Sequence, residues 1–148
     1  MKKLLLILLS LPFIGFGQSQ EIIWEENIDS AFNLASLSNK ILMIEFMAEW
    51  CPPCKRMEKE TFSNDRIINK SNEFIFVKVD VDKNQDIAKE YKRNAKKYGG
   101  IGIPNILFID KDKNIVHQTV GFLSADQLIT VMDSVLKKMI KNEKRIQN

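Results

Sequence analysis

The stretch EFMAEWCPPCKRMEKETF, Glu45 to Phe62, contains both cysteines of the chain, Cys51 and Cys54, separated by Pro52 and Pro53. Two thiols at this spacing could form a redox couple, provide half of a metal site, or hold a rigid turn. A structural zinc site wants about four ligands, and beyond the two cysteines the chain has one histidine, His117, far off within a strand pattern. No metal is therefore expected. A bridge closing so short a loop constrains the unfolded chain far less than a long-range one, so stapling the fold explains the pair poorly. Redox chemistry remains. Cys51 falls where an apolar strand ends and a helix begins, and Pro52 suits a first helical turn, where its missing N–H would have been unpaired anyway. Partial positive charge at the helix start favours the Cys51 thiolate, the form that attacks disulfides. Cys54, one turn on, is within reach to bond with it, and only the helix-start sulfur is expected to be exposed.

The elements that must hold this motif can be read from pattern. KILMIEFMA is apolar almost without a break, as for a strand covered on both faces. EFIFVKVDVD is a second buried strand, and Glu21–Glu25 a short alternating one. Asn27 or Asp29 can cap a helix through about Leu37, with Ala31, Leu34, Ala35 and Ser38 on one side. SND caps a short helical turn around Arg66–Lys70, and NQDIAKEYKRNAKKY is a polar helix ended by Gly99-Gly100. PNILFID and IVHQTVG, joined by KDKN, form an antiparallel hairpin. Ser124 and Gln127 form a capping box before Leu128, Val131, Met132, Val135, Leu136 and Met139, spaced at three and four. Crossover helices require parallel strands and the hairpin adds antiparallel ones. The expected fold is α/β, a central mixed β-sheet flanked by helices on both faces.

At 148 residues, 45% hydrophobic and 28% charged, the chain suits one globular domain. Its start differs. Met1-Lys2-Lys3 precedes LLLILLSLPFIGFGQ, a basic start, an apolar run and small residues, which together read as a secretory signal peptide over 1–17, cut before Gln18. The run is too short for a spanning helix, which wants about 20 residues, and no cysteine follows it to carry a lipid anchor. Residues 18–148 are then the single mature domain, exported to an oxidising compartment where disulfides persist. Loss of Lys2 and Lys3 lowers the formal net charge from +3 to +1, which argues against a polyanionic partner such as nucleic acid. The basic tail KKMIKNEKRIQN is expected to be a solvated helix end and fraying terminus rather than a membrane or nucleic-acid patch.

With these residues in view, the sequence resembles the thioredoxin superfamily over nearly all of Ile22 to Met139. EFMAEWCPPCK resembles the active-site strand and motif, GGIGIPN the loop carrying a cis-proline, and VGFLSADQL the glycine turn into the last helix. The segment NKILMIEFMAEWCPPCKRMEKETFSNDRI resembles the branch that includes the C-terminal periplasmic domain of thiol-disulfide interchange proteins. The resemblance implies a thioredoxin fold and a thiol-disulfide oxidoreductase that needs no cofactor beyond the Cys51–Cys54 disulfide. It implies Cys51 as nucleophile, Cys54 as resolving thiol, Trp50 as a shield, and cis-Pro104 facing the sulfurs with the Ile103 backbone free to pair with substrate. Partners would be disulfide-containing or thiol proteins, with a membrane electron donor, in a bacterial periplasm. Two departures stand out. Asn105 occupies a position where threonine is common, and the segment from Asp82 to Pro104 is long, its extra length falling around residues 91–100.

Glu45 interrupts its apolar strand six residues before Cys51. An ionised carboxylate there would be costly, so its pKa should rise. The resemblance implies a buried acid that takes the proton of the resolving cysteine. Lys78, in the adjacent strand, is either its partner or a surface lysine. Trp24, His117, Met43, Met47 and Met57 read as packing residues. Strong oxidants of this fold usually carry a histidine between the cysteines, stabilising the reduced form. Here both positions are proline and neither offers an N–H, which points to a reductant, with oxidase, isomerase or a non-catalytic binding module as the alternatives.

Overall fold

Strand β2 (Ile41–Met47) determines how the rest of the chain packs, because six of its seven residues are buried. Its side chains alternate between two apolar clusters, as strand geometry requires. Ile41 and Met43 join Met57, Phe62, Ile67, Leu128, Met132 and Val135 on one face. Leu42, Ile44 and Phe46 join Ala31, Ala35, Val77, Val79 and Leu107 on the other. The computed structural model describes residues 21–95 and 102–146. The expected signal peptide and Gly99-Gly100 lie outside them.

In chain order the elements are β1 (Trp24–Glu25), α1 (Ile28–Ser38), β2, α2 (Pro52–Glu60), α3 (Asp65–Ser71), β3 (Phe74–Asp80), α4 (Gln85–Ala95), β4 (Asn105–Ile109), β5 (Ile115–Val120) and α5 (Ala125–Ile146). The sheet runs β1-β3-β2-β4-β5. β1 and β2 are both parallel to β3, whereas β4 is antiparallel to β2 and to β5. Helices α2, α3 and α5 cover one face, and α1 with Ile87 of α4 covers the other. The mixed sheet with helices on both faces is the architecture the pattern implied.

Local signals explain the element ends. Asn27 caps α1 with its side chain, accepting from the N–H groups of Asp29 and Ser30. Asn64 caps α3 in the same way, through Arg66. Ser124 and Gln127 exchange the two bonds of the capping box, at 2.9 and 3.3 Å. Two expectations need correcting. β1 is two residues rather than five, since as an edge strand it pairs with β3 only at Trp24 and Glu25. Leu34 is 40% exposed, because α1 approaches the sheet through the small residues Ala31 and Ala35 and leaves Leu34 at the margin. The basic tail is a solvated helix end as expected: α5 continues to Ile146 with its lysines exposed, and the final two residues lie outside the described part.

Leu128 lies at the base of α5 with no exposed surface. Leu128→Ala should lower the stability of the disulfide form by about 2–5 kcal/mol, read from urea unfolding with an unchanged circular dichroism spectrum.

Candidate active site

β2 ends at Met47, and the next residues turn sharply to start α2. The Cys51 N–H donates to the Ala48 carbonyl at 3.1 Å, and the Cys51 carbonyl accepts from Lys55. Cys51 is the N-cap residue, with extended backbone, and Pro52 follows as the first helical residue. The cap acceptor is sulfur: the Cys54 N–H donates to Cys51 Sγ at 3.2 Å. Two prolines leave Cys54 as the first residue of α2 with an N–H to give, and it is directed at Cys51. Cys51 and Cys54 are disulfide-bonded, with Cα atoms 5.3 Å apart.

The Cys51 sulfur is not the exposed one in this form. Cys51 and Cys54 are 1% and 2% exposed, packed with Ala48 and flanked by Met47, Val81 and Ile103. What distinguishes the two sulfurs is electrostatic. One receives the N–H and lies at the positive end of the helix; the other lies a turn inside it.

Parallel pairing of β2 and β3 brings the loops after them together, with Met47 opposite Asp80. The Trp50 indole N–H donates to Asp82 at 2.6 Å, and Lys83 pairs with Glu49 at 2.6 Å. Asp80 shapes the second loop by accepting from the N–H groups of Asp82 and Lys83. Trp50 is thus 65% exposed yet anchored beside the cysteines. Asp82, Lys83 and Glu49 escaped the sequence reading. Their signal was the parallel register, which sets the residue after each strand beside its counterpart.

On the other side the Ile103–Pro104 peptide is cis, Ile103 packs on the cysteine pair, and Pro104 is buried. The Gly121 N–H donates to the Pro104 carbonyl at 2.8 Å, tying this loop to the end of β5. Gly121 has φ +96°, a conformation that excludes most side chains. A Cβ on Gly102 would come within 2.9 Å of Val120 Cγ1, so the loop lies against β5 at glycine distance. Asn105 is buried and its Oδ1 accepts from the Gln118 amide at 3.0 Å. The structure thus brings Cys51, Cys54, Trp50, Ile103 and Pro104 to one end of the sheet. Of the expected insertion over 91–100, α4 runs to Ala95, and residues 96–101 lie outside the described part.

Glu45 is 2% exposed, one strand step before Phe46 and on the face covered by α2. Burial pushes its carboxyl up from 4.5 to about 7, with Lys78 opposing the shift and Glu58 adding to it. Its Oε2 has no hydrogen-bond partner. Lys78 stands directly across from Glu45 in the sheet. Its ammonium, however, binds Glu58 at 2.8 Å and lies 4.5 Å from the centre of the Trp24 ring. His117, on β5, packs against Phe108 of β4, and burial lowers its pKa, with Lys138 adding to the effect. Among the described residues no three His, Cys, Asp or Glu side chains are grouped to hold a metal ion.

A helix-capping cysteine disulfide at the end of a central strand, faced by a cis-proline loop, defines the thioredoxin-fold thiol-disulfide oxidoreductases. The chain belongs to the family described as thioredoxin-like domain, whose profile matches residues 28–136. It is 36% identical over 92 residues to the thiol:disulfide interchange protein DsbD of Campylobacter jejuni strain RM1221, covering 62% of this chain and 16% of that protein. The chain thus spans about a sixth of the length of this relative. The C-terminal domain of Neisseria meningitidis DsbD in the reduced form superposes with TM-score 0.57 at 25% identity, covering 72% of this chain and 91% of that one. A Bacteroides thetaiotaomicron protein described as "a putative disulphide-isomerase" superposes with TM-score 0.64 at 27% identity, covering 80% of this chain and 96% of that one.

The Glu45 shift carries a pH dependence. Between 4.5 and about 7 the folded state holds a proton that the unfolded chain has released, so stability is full below 4.5 and falls as pH rises through that window. The loss is about 3 kcal/mol and is complete above the folded value. Urea unfolding from pH 4 to 8 should show this fall in the wild type and a flatter profile in Glu45→Gln.

Proposed function

We propose that the chain is an exported thiol-disulfide oxidoreductase that reduces disulfides in partner proteins. The observation that carries this reading is the Cys51 cap. One backbone N–H, from Cys54, reaches the sulfur at 3.2 Å, and both intervening residues are prolines that can add none. Cys51 is therefore a moderately stabilised thiolate, and a less stabilised reduced form is a stronger reductant.

In this reading the reduced protein begins with a Cys51 thiolate and a Cys54 thiol. Cys51 attacks one sulfur of a partner disulfide, forming a mixed disulfide and expelling the other sulfur as a thiolate. Cys54 gives its proton to the Glu45 carboxylate and attacks Cys51 Sγ. The mixed disulfide breaks, the Cys51–Cys54 bond forms, and the partner leaves with two electrons and two reduced sulfurs. A buried acid with a pKa near 7 suits that proton, since it is matched to ambient pH. Trp50, held by Asp82, shields one side of the mixed disulfide, and the Ile103 backbone beside Pro104 pairs with the extended partner chain. Recharging requires a dithiol donor. With residues 1–17 as a cleaved signal peptide, that donor would be a membrane protein reached from a bacterial periplasm. Among the described residues no helix is long and apolar enough to cross a membrane.

The likeness to the Bacteroides thetaiotaomicron protein described as "a putative disulphide-isomerase" favours a second reading, an oxidase or isomerase with the same residues at a higher potential. Equilibration with glutathione separates the two. The expected potential is near thioredoxin's, at about −270 mV, and a value above about −180 mV would overturn the reductase reading. Pro53→His should raise it. In the reduced protein Cys51 should be alkylated before Cys54, as mass spectrometry of a brief iodoacetamide pulse would record. Glu45→Ala should slow resolution of a mixed disulfide more than its formation, checked by stopped-flow kinetics between pH 6 and 9.

A further inference from the structure

Helix α5 does two different things along its length. Its first half is held to the body: Arg66 pairs with Asp126, Lys70 with Asp133 at 2.7 Å, and Leu128, Met132 and Val135 are fully buried. After Val135 the packing thins to the partly buried Leu136 and Met139. The final turns carry exposed Ile140, Lys141, Asn142, Lys144 and Arg145.

The direction of α5 follows from its partners. Successive residues of α3 meet successive residues of α5, so the two run side by side in the same sense. α3 then delivers the chain to Phe74, where β3 begins, at the opposite end of the sheet from the cysteines. A 22-residue helix is about 33 Å long, so its C-terminal half stands at the pole opposite the disulfide.

That half is strongly basic. Between Lys137 and Arg145 there are five cations and one carboxylate, Glu143. The mature chain is nearly neutral as a whole, so the remainder is acidic in balance and the charge is polarised along the molecule. A shallow groove of about 470 Å³ on this helix is lined by Thr130, Asp133, Ser134, Lys137, Lys138 and Lys141. Its one carboxylate is already engaged by Lys70, which leaves ammonium and hydroxyl groups to meet a ligand. Beside them Ile140 is 54% exposed.

Although the near-neutral whole chain argues for a merely solvated helix end, the local charge is concentrated, and we propose that the C-terminal half of α5, Lys137 to Arg145, is a docking surface for an anionic phospholipid bilayer. Ammonium donors along a helix, with an exposed isoleucine at their flank, match a sheet of phosphate headgroups over hydrocarbon. Each lysine near such a surface strengthens binding by about fivefold, so a handful acting together produces measurable attachment. Docked this way, the disulfide faces away from the bilayer, open to partner proteins.

Sedimentation with vesicles tests the assignment, using the oxidised chain from Gln18 onward, which carries every described element. Binding requires no electron transfer, so the result is independent of the reductase reading. The chain should co-sediment with equimolar phosphatidylglycerol–phosphatidylcholine vesicles at low salt, stay in solution with phosphatidylcholine alone, and be released at about 1 M salt, where screening is nearly complete. Replacing Lys137, Lys138, Lys141 and Lys144 by Gln should weaken binding at least tenfold while the circular dichroism spectrum and disulfide turnover stay unchanged. Ile140→Asn, which keeps every charge, should weaken it several-fold. Equal binding to neutral vesicles, undiminished binding by the lysine variant, or tighter binding to duplex DNA than to the anionic vesicles would each overturn the proposal.

Discussion

The N-terminus of α2 needs an acceptor for its first free N–H, and in this chain a sulfur atom supplies it. Everything around the site follows from that requirement. Cys51 must leave the end of a buried strand in extended conformation, so β2 has to be fixed on both faces before the helix can start in the right place. The two prolines remove competing donors and preset the turn. The Cys54 N–H then points at the neighbouring sulfur, so the geometry that satisfies the helix also differentiates the two thiols. Folding and redox chemistry share one hydrogen bond.

A second constraint acts through the sheet. Glu45 is on the α2 face of the buried central strand β2, where an apolar residue would pack without electrostatic cost. Lys78 is its cross-strand partner on β3, but that cation is drawn outward to Glu58 and the Trp24 ring. Glu45 is left with weak compensation, and a pKa near neutrality is the physical result. Had Lys78 bonded Glu45 directly, the pair would have been a fixed ion pair and the acid would have titrated far lower. An intermediate position between fully paired and fully isolated keeps the proton exchangeable.

Much of this was legible in the chain itself. An unbroken apolar run predicted the central strand, the interrupted run predicted Glu45's burial, and cap residues marked the helices. Those signals are local, and local physics produced them. What escaped the sequence depends on register. Nothing in Asp82 or Lys83 announces that a parallel pairing sets them against Trp50 and Glu49. Likewise, Lys78 could not be assigned between Glu45 and Glu58, because the choice depends on where α2 lies over the sheet. The covering of Cys51 was missed for the same reason: Ile103 and Val81 come from distant segments. β1 was overestimated because an apolar alternating pattern does not reveal how many partners a strand will find at a sheet edge.

The two tryptophans occupy contrasting environments. Trp24 meets Phe62 and Phe76 edge-on, at 5.0 and 5.3 Å, with Lys78 against its face. Trp50 is largely in water, beside the disulfide and hydrogen-bonded to a carboxylate. The chain therefore contains two optical reporters with separate subjects. Exposure to water should shift Trp50 emission to the red, and a neighbouring sulfur–sulfur bond should quench it, so its intensity should follow the oxidation state. Trp24, within its aromatic cluster, should emit further to the blue and follow the integrity of the sheet edge. A single emission spectrum should then carry the redox state and the folded state on different wavelengths.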